Sequence, residues 1–78
     1  MSEKLYSLLS TVLNISVEQI TDITGPENTS SWTSFNGYVL LSELENTFDV
    51  KFTIDEAMDV KNVSDIKRHL KNHGVKID

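Results

Sequence analysis

Hydrophobic residues recur at helical spacing in three stretches of the chain, and the first stretch begins near residue 1. Its apolar positions follow an i, i+3, i+4, i+7 order, which places them on one face of an amphipathic helix. These positions are Leu5, Leu8, Leu9 and Val12. With Ser2 as its N-cap residue, the pattern predicts a first helix over residues 3–13. Ser16 and Gln19 then have the spacing of a capping box and predict a single helical turn.

Polar and turn-forming residues dominate residues 21–33. Gly25-Pro26 is a strong turn signal, and the polar residues from Asn28 onward continue it. We therefore predict a long loop, and a loop of this length inside a small domain is often functional. Trp32, near the end of the loop, is expected to plug the core and fix the loop, because tryptophan is usually well buried.

A second amphipathic helix is predicted over residues 34–48, with Thr33 as its N-cap residue. Its apolar stripe consists of Leu41, Leu44 and Phe48, widened by Tyr38 and Leu40. Glu43 and Glu45 fall off this stripe and are expected to face water. Gly37 inside the helix costs about 1 kcal/mol relative to alanine. It either permits the close approach of a neighbour or is simply tolerated.

Two further helices are predicted in the last third of the chain. Thr53 and Glu56 match a capping box, which predicts a short helix over residues 54–58. Asn62 can cap a final helix, and Gly74 is a natural C-terminal cap for it. The apolar face of this last helix comprises Val63, Ile66 and Leu70. Because no pair of strands is evident, the pattern predicts an all-α fold, a small four-helix bundle with a long loop between helices 1 and 2.

Length and composition narrow the functional classes. A chain of 78 residues is enough for a single domain over residues 1–78, and it is too small to enclose an active site with its own walls and lid. We therefore expect a carrier, binding or adaptor role, not an enzyme. The chain has no cysteine, so disulfides and thiolate metal sites are excluded. Without a signal peptide or a membrane-spanning apolar run, a cytoplasmic protein is expected.

Charge is distributed unevenly along the chain. The formal net charge is −5, which makes nucleic acid an unsuitable partner because phosphate binding needs clustered Lys and Arg. Residues 5–50 contain six acidic residues and no Lys or Arg. This stretch would present a negative field that steers basic partners toward it. The same charge is equally consistent with a solubilising surface.

Ser34 has a position that suits a phosphate group. It begins a predicted helix after a long loop, and the free N–H groups and the dipole of a helix N-terminus stabilise an anion there. Serine is also common at helix starts for capping reasons alone. Position alone therefore leaves both interpretations open.

The residues around this serine form a longer pattern. The tetrapeptide Trp32-Thr33-Ser34-Phe35 is followed by a predicted leucine-rich helix that contains a Leu-Glu pair. At its end, residues 48–50 are a phenylalanine, an acidic residue and a hydrophobic residue. The order resembles the acyl carrier protein family, which has Asp-Ser-Leu at the head of its second helix, often after Trp. Further similar stretches are Glu18–Ile20, Pro26–Thr29 and Val63–Ile66. The resemblance covers nearly the whole chain in register.

The resemblance implies a function for Ser34. In this family the serine hydroxyl is esterified by 4′-phosphopantetheine, and the arm carries acyl or aminoacyl groups as thioesters in fatty acid, polyketide or related biosynthesis. Ser30 and Ser31 are poorer candidates, because neither begins the apolar helix. The implied partners are a phosphopantetheinyl transferase, an acyl- or aminoacyl-loading ligase, and ketosynthase or acyltransferase enzymes. The chain is expected to act as a monomer.

The resemblance also implies where partners and cargo would bind. Cargo would lodge near Leu40, Leu44 and the third helix. The partner-binding positions would be Thr33, Phe35, Tyr38, Glu43 and Glu45. Thr33 lacks the charge of the usual aspartate, and Phe35 is bulkier than the usual leucine. These two departures indicate either a specialised carrier or a degenerate one that is no longer modified.

Two rival interpretations stay open. The first is an unmodified adaptor with the same fold, acting as a subunit of a complex. The second is a metal-binding domain that uses His69 and His73, which are spaced i, i+4. No third ligand is evident, so we predict no metal site and a solvated histidine pair. Asp55, Glu56 and Asp59 lack the spacing of a calcium loop and are predicted to form a solvated helix face.

Overall fold

The structure is a computed structural model that describes residues 3–77, and helices are its regular elements. They are α1 (Glu3–Leu13), a 3₁₀ turn (Val17–Gln19), α2 (Ser34–Phe48), α3 (Ile54–Asp59) and α4 (Val63–Asn72). No strand occurs within these residues. The predicted all-α bundle is confirmed, with a long loop between α1 and α2, and α3 ends one residue later than predicted. Ser2, the predicted N-cap residue of α1, lies outside the described residues.

The core is built by α1, α2 and α4. Its buried helical side chains are Leu5, Leu9 and Leu13 from α1, Leu40 and Leu44 from α2, and Val63, Ile66 and Leu70 from α4. Burying a side chain of this size stabilises the fold by about 1.5–3 kcal/mol. α3 contributes no buried side chain. Tyr38 was predicted to widen the core stripe of α2, which is wrong, because the residue is 76% exposed.

Side chains at the predicted caps fix where the helices begin. The Asn36 N–H donates to Thr33 Oγ1 (3.1 Å), and the Asp65 N–H donates to Asn62 Oδ1 (2.9 Å). At α3 the capping box is complete, because the Glu56 carboxylate also accepts from the Thr53 N–H (2.8 Å). Each bond satisfies an N–H group that has no partner within its helix.

The end of α4 is a Schellman turn. Gly74 has a φ of +85°, a conformation that costs glycine little. The Gly74 N–H donates to the Lys71 carbonyl (2.9 Å), and the Val75 N–H donates to the Leu70 carbonyl (2.9 Å). The predicted C-terminal cap is confirmed, and the turn brings Val75 back against the core.

The long loop is held against the start of α4 by backbone hydrogen bonds. The Val63 N–H donates to the Thr24 carbonyl (2.9 Å), and the Ser64 N–H donates to the Asp22 carbonyl (3.0 Å). Gly25 lies so close to the carbonyl oxygen of Lys61 that a Cβ atom there would collide with it. The loop is therefore an ordered part of the fold.

Lys67 adds a polar link between α4, α1 and the same loop. Its Nζ donates to Tyr6 Oη (2.8 Å) and to Asp22 Oδ1 (2.6 Å). The hydrogen bond that Lys67 donates to Asp22, and then the one it donates to Tyr6, raise the pKa of Lys67 above its ordinary value. Together with the backbone bonds, this link fixes the first part of the loop against α4.

We predict that Gly25→Ala destabilises the protein by about 1–3 kcal/mol, because the new methyl group forces the loop away from Lys61. Urea unfolding followed by circular dichroism measures the free energy of unfolding. Gly37→Ala is the matched control. An added Cβ there meets only Trp32 Nε1 at an ordinary 3.7 Å, so the better helix propensity of alanine should stabilise the protein by about 0.5–1 kcal/mol. Equal effects of the two substitutions would contradict the prediction.

Candidate functional site

Ser34 is the first residue of α2 and is exposed. The preceding residue, Thr33, closes the first turn by accepting from the Asn36 N–H through Oγ1 and from the Gly37 N–H through its carbonyl oxygen (2.8 Å). The N–H groups of Ser34 and Phe35 precede Gly37, the first backbone donor within the helix, so no helix carbonyl accepts from them and they stay free for an external anion. A phosphate on Ser34 would also lie at the positive end of the helix dipole.

The loop that leads into α2 holds this serine in a fixed position. Asn36 Nδ2 donates to the Ser31 carbonyl (2.7 Å), and the Trp32 N–H donates to the Thr29 carbonyl (3.0 Å). The Trp32 side chain is only 7% exposed, which confirms its predicted role as a core plug. The Ser31 hydroxyl is buried without a hydrogen-bond partner, so it is not accessible to an enzyme as Ser34 is.

A groove of about 400 Å³ opens beside Ser34, between α2 and α3. Its lining includes Trp32, Ser34, Tyr38, Leu40, Leu44 and Met58. The family resemblance implies that cargo lodges near Leu40 and Leu44. Both of these leucines line the groove, and α3 forms the opposite wall. The groove is largely apolar, and its polar end is the start of α2.

The predicted partner-binding residues fall into two groups. Thr33 and Tyr38 line the groove with Ser34. Phe35 follows Ser34 in the chain and is 74% exposed, similar to Tyr38. Such large exposed apolar side chains are typical of interaction surfaces. Met58, which no sequence pattern singles out, also lines the groove and is exposed.

The two glutamates of α2 lie apart from these residues. Glu43 lines a second groove, between α1 and α2, together with Lys4. Glu45 is half-buried, and its Oε2 accepts from the Phe52 N–H (2.8 Å). The prediction that Glu45 simply faces water is therefore wrong, because its carboxylate anchors the connection between α2 and α3. This contact joins residues seven apart, outside any helical pattern.

Polar contacts with α4 hold α3 beside the groove. His69 is 6% exposed, and its Nε2 lies 2.9 Å from Asp59 Oδ2, while its Nδ1 lies 3.7 Å from Glu56 Oε2. His73 Nε2 lies 2.9 Å from Glu56 Oε2. The predicted solvated histidine pair is wrong for His69. The predicted solvated face of α3 is wrong for Glu56, which is half-buried against His73, whereas Asp59 remains exposed although its carboxylate contacts Arg68 and His69.

Arg68 completes this set of contacts. Its guanidinium donates to Asp59 (2.7 Å) and to Asp65 (3.1 Å). The hydrogen bonds from Arg68 and then His69 lower the pKa of Asp59.

Two more carboxylates of this region have a lowered pKa. The backbone N–H of Lys61, followed by Arg68, lowers the pKa of Asp65. The backbone N–H of Thr53, followed by His73, lowers the pKa of Glu56. Among residues 3–77, no group of three or more His, Asp or Glu side chains is arranged to hold a metal ion.

Comparison with known proteins defines the class of this domain. A family model described as phosphopantetheine attachment site matches residues 3–70, which is most of the chain. The chain therefore belongs to the phosphopantetheine attachment site family, as its resemblance to acyl carrier proteins implied. Domains of this family are carriers rather than catalysts and bear a covalently attached 4′-phosphopantetheine group. No curated protein matches the chain.

The described residues fit such a group. The exposed serine at the head of α2 offers a hydroxyl for attachment, the first turn offers N–H groups for a phosphate, and the groove offers an apolar wall beside them. Within residues 3–77, no helix combines the length and the apolar character that crossing a bilayer requires.

The lowered pKa values of Glu56, Asp59 and Asp65 predict a loss of stability in acid. A lowered folded-state pKa contributes stability that is fully present above the unfolded pKa. This stability is lost as the pH falls through the folded pKa. We therefore expect the urea midpoint to fall between about pH 5 and pH 2. The Asp59→Asn, Asp65→Asn double variant should be less stable at pH 7 but lose less of its stability over this range.

Asp55→Asn is the charge-matched control for this experiment. Asp55 is exposed on α3, and no ion pair involves it among the described residues. This variant should keep the steep wild-type fall in the urea midpoint. Parallel curves for the double variant and the wild type would show that the two aspartates do not cause the acid sensitivity.

Proposed function

We propose that this chain carries acyl or aminoacyl groups as thioesters on a 4′-phosphopantetheine arm attached to Ser34. The observation that carries the proposal is the placement of Ser34, an exposed serine that begins a 15-residue helix at the mouth of an apolar groove. The family match supports the covalent group itself. The thiol at the free end of the arm supplies the chemistry by forming the thioester bond.

The residues around Ser34 would hold the phosphodiester in a defined place. Its oxygens would face the free N–H groups of Ser34 and Phe35, whose positions Thr33 fixes by capping the turn. Hydrogen bonds to a charged acceptor are stronger than those between neutral groups. The cap on α2 thus both starts the helix and prepares an anion site.

The groove between α2 and α3 would shelter the cargo. Leu40 and Leu44 form its floor and Met58 forms part of its far wall, so an apolar chain placed there would leave water. The start of α2, which bears the arm, lies at the same groove. Cargo and attachment point would therefore share one face of the bundle.

Partner enzymes would bind the surface that surrounds Ser34. We propose that Thr33, Phe35 and Tyr38 make direct contacts, and that Glu43 and Glu45, which lie further along α2, contribute negative charge. Because residues 5–50 have no Lys or Arg, complementary partners would present basic surfaces, and their association would slow as salt rises. The partners would be a phosphopantetheinyl transferase, a loading ligase, and ketosynthase or acyltransferase enzymes. The pathway would be fatty acid, polyketide or related biosynthesis.

The chain would act as one domain, a monomer in the cytoplasm. It would make and break no bonds of the cargo itself, because partner enzymes would load and unload the arm. The alternative function is that of an unmodified adaptor with the same fold. It is favoured by Thr33, which stands where carrier proteins usually have an aspartate. The two functions differ in whether Ser34 is modified.

We predict that a broad-specificity phosphopantetheinyl transferase adds one phosphopantetheinyl group to the protein, and that Ser34→Ala abolishes the addition because the attacking hydroxyl is gone. Intact-mass spectrometry measures the change. Ser30→Ala is the matched control, since this exposed loop serine lies nearby but outside α2, and it should be modified at the wild-type rate. If the wild-type chain stays unmodified while a known carrier is modified in the same tube, the adaptor function replaces the carrier function.

We predict that Phe35→Ala raises the KM of the transferase roughly three- to tenfold while leaving kcat within about twofold, because the lost contact lies in the binding surface. Steady-state kinetics with coenzyme A in excess measure both constants. Ile23→Ala removes an apolar side chain that is equally exposed, 73% against 74%, from a loop position that does not line the groove. It should leave KM unchanged. The same rise in both variants would mean that Phe35 has no special role.

A further inference from the structure

The indole ring of Trp32 carries an N–H group that has no acceptor in the protein. The backbone N–H of this residue donates to the Thr29 carbonyl (3.0 Å), but the ring nitrogen Nε1 takes part in no hydrogen bond within residues 3–77. The residue is only 7% exposed. A buried indole N–H usually finds a partner, and a buried donor that is left unsatisfied costs free energy. The ring therefore presents an unused donor.

This N–H group opens into the groove between α2 and α3. Among the described residues, the side-chain polar atoms that are completely buried without a partner are Ser31 Oγ and His69 Nδ1. Trp32 Nε1 is not one of them, so it keeps some accessible surface although the ring is buried. Trp32 lines the groove, and so does Gly37, the residue next to Nε1. The accessible surface of the nitrogen therefore faces the groove.

Gly37 keeps the approach to this donor open. A Cβ atom at residue 37 would lie 3.7 Å from Trp32 Nε1, so any other residue there would cover part of the N–H group. Glycine inside a helix weakens the helix, and here it leaves a space beside an unused donor. Gly37 follows Ser34 by three residues, which places the two on the same face of α2, one turn apart. The space therefore lies next to the attachment point.

Trp32 supplies the polar contact in the interior of the groove. The lining side chains that carry a hydroxyl or N–H group are Trp32, Thr33, Ser34 and Tyr38. The last three are exposed, whereas Trp32 is buried. A hydrogen bond at a site shielded from water is electrostatically stronger than one in water, and it fixes the direction of its acceptor. The leucines of the floor make only contacts without direction.

We propose that the Trp32 N–H donates a hydrogen bond to a carbonyl oxygen of the 4′-phosphopantetheine arm on Ser34, and that Gly37 leaves the space for this contact. The inference rests on the proposed function. The arm contains amide carbonyl groups, and a loaded arm also ends in a thioester carbonyl, so both present the same acceptor chemistry. The bond would hold the arm against the α2 wall and direct its free end toward Leu40 and Leu44.

Nuclear magnetic resonance of the ¹⁵N-labelled protein tests the contact directly. The chain has one tryptophan, so it gives one indole N–H signal. We expect the exchange of this proton with water to be about three- to tenfold slower in the modified protein than in the unmodified one, the effect of one hydrogen bond that replaces water. Cross-relaxation peaks should join the indole proton to protons of the arm. Ser34→Ala, treated with the same transferase, should keep the unmodified rate.

Two loading states distinguish the two kinds of carbonyl. If an amide oxygen is the acceptor, the slower exchange is complete with the free thiol. If the thioester oxygen is the acceptor, the slower exchange appears only after a saturated acyl group has been loaded. Either result supports the proposal. A wild-type protein whose mass shows full modification, but whose indole exchange is unchanged in both states, would overturn it while the carrier function stands.

Variants of α2 and of the ring complete the test. Gly37→Ala adds a methyl group beside Nε1, so the ratio of the unmodified to the modified exchange rate should fall toward one. Ser42→Ala is the matched control, because this exposed residue of α2 lines neither groove, and it should keep the wild-type ratio. An unchanged ratio in Gly37→Ala would overturn the role of the glycine.

Trp32→Phe gives a second readout, because it keeps a large ring but removes the donor. Modification should raise the urea midpoint of the wild type by more than that of this variant. If Trp32→Phe does not fold, the ratios for Gly37→Ala and Ser42→Ala still decide the proposal. A wild-type chain that the transferase leaves unmodified, as its intact mass would show, would overturn the proposed function and this inference together.

Discussion

Two backbone hydrogen bonds join parts of the chain that are distant in sequence, and the position of the functional site depends on them. The carbonyl oxygens of Asp22 and Thr24 accept from the first N–H groups of α4, which are groups that no helix can satisfy internally. The same bonds turn a polar segment into an ordered loop. Further bonds, from the Trp32 N–H to the Thr29 carbonyl and from Asn36 Nδ2 to the Ser31 carbonyl, fix the other end of the loop, where Trp32 is buried and α2 begins with an exposed Ser34.

The helices could be predicted from the sequence because the information that defines them is local. Apolar periodicity gave the faces of α1 and α4, and Thr33, Thr53 and Asn62 marked helix starts that the structure confirms. Ser34 as an exposed residue at the head of α2 follows from the same local pattern. The burial of Trp32 was also predictable, because a large indole in a small domain has few other places to go.

The errors concern side chains whose surroundings depend on tertiary packing. His69 follows Ile66 by one helical turn, so it points into the bundle although its residue type suggested solvent. Glu45 and Glu56 are ordinary surface residues by type, yet each is half-buried and its carboxylate has a partner outside its own helix. Tyr38 fits the apolar stripe by type, but the groove leaves it without a covering neighbour. Periodicity alone does not show which elements pack together.

Stability is distributed unevenly between the two walls of the groove. The α2 wall shares its leucines with the main core, whereas the α3 wall is held by its ends and by polar contacts with α4. Elements with few buried apolar contacts open at lower free energy than the core. The wall most suited to move is therefore the one opposite the attachment point, and the serine itself lies on the rigid side.

The position of Trp32 has a practical consequence. It is the only tryptophan in the chain, and its side chain lines the groove while remaining almost completely buried. The emission of its indole ring therefore comes from a single, known place next to the attachment serine. Filling of the groove by an apolar chain would change the polarity around that ring, so the native protein has an intrinsic optical reporter of its own occupancy.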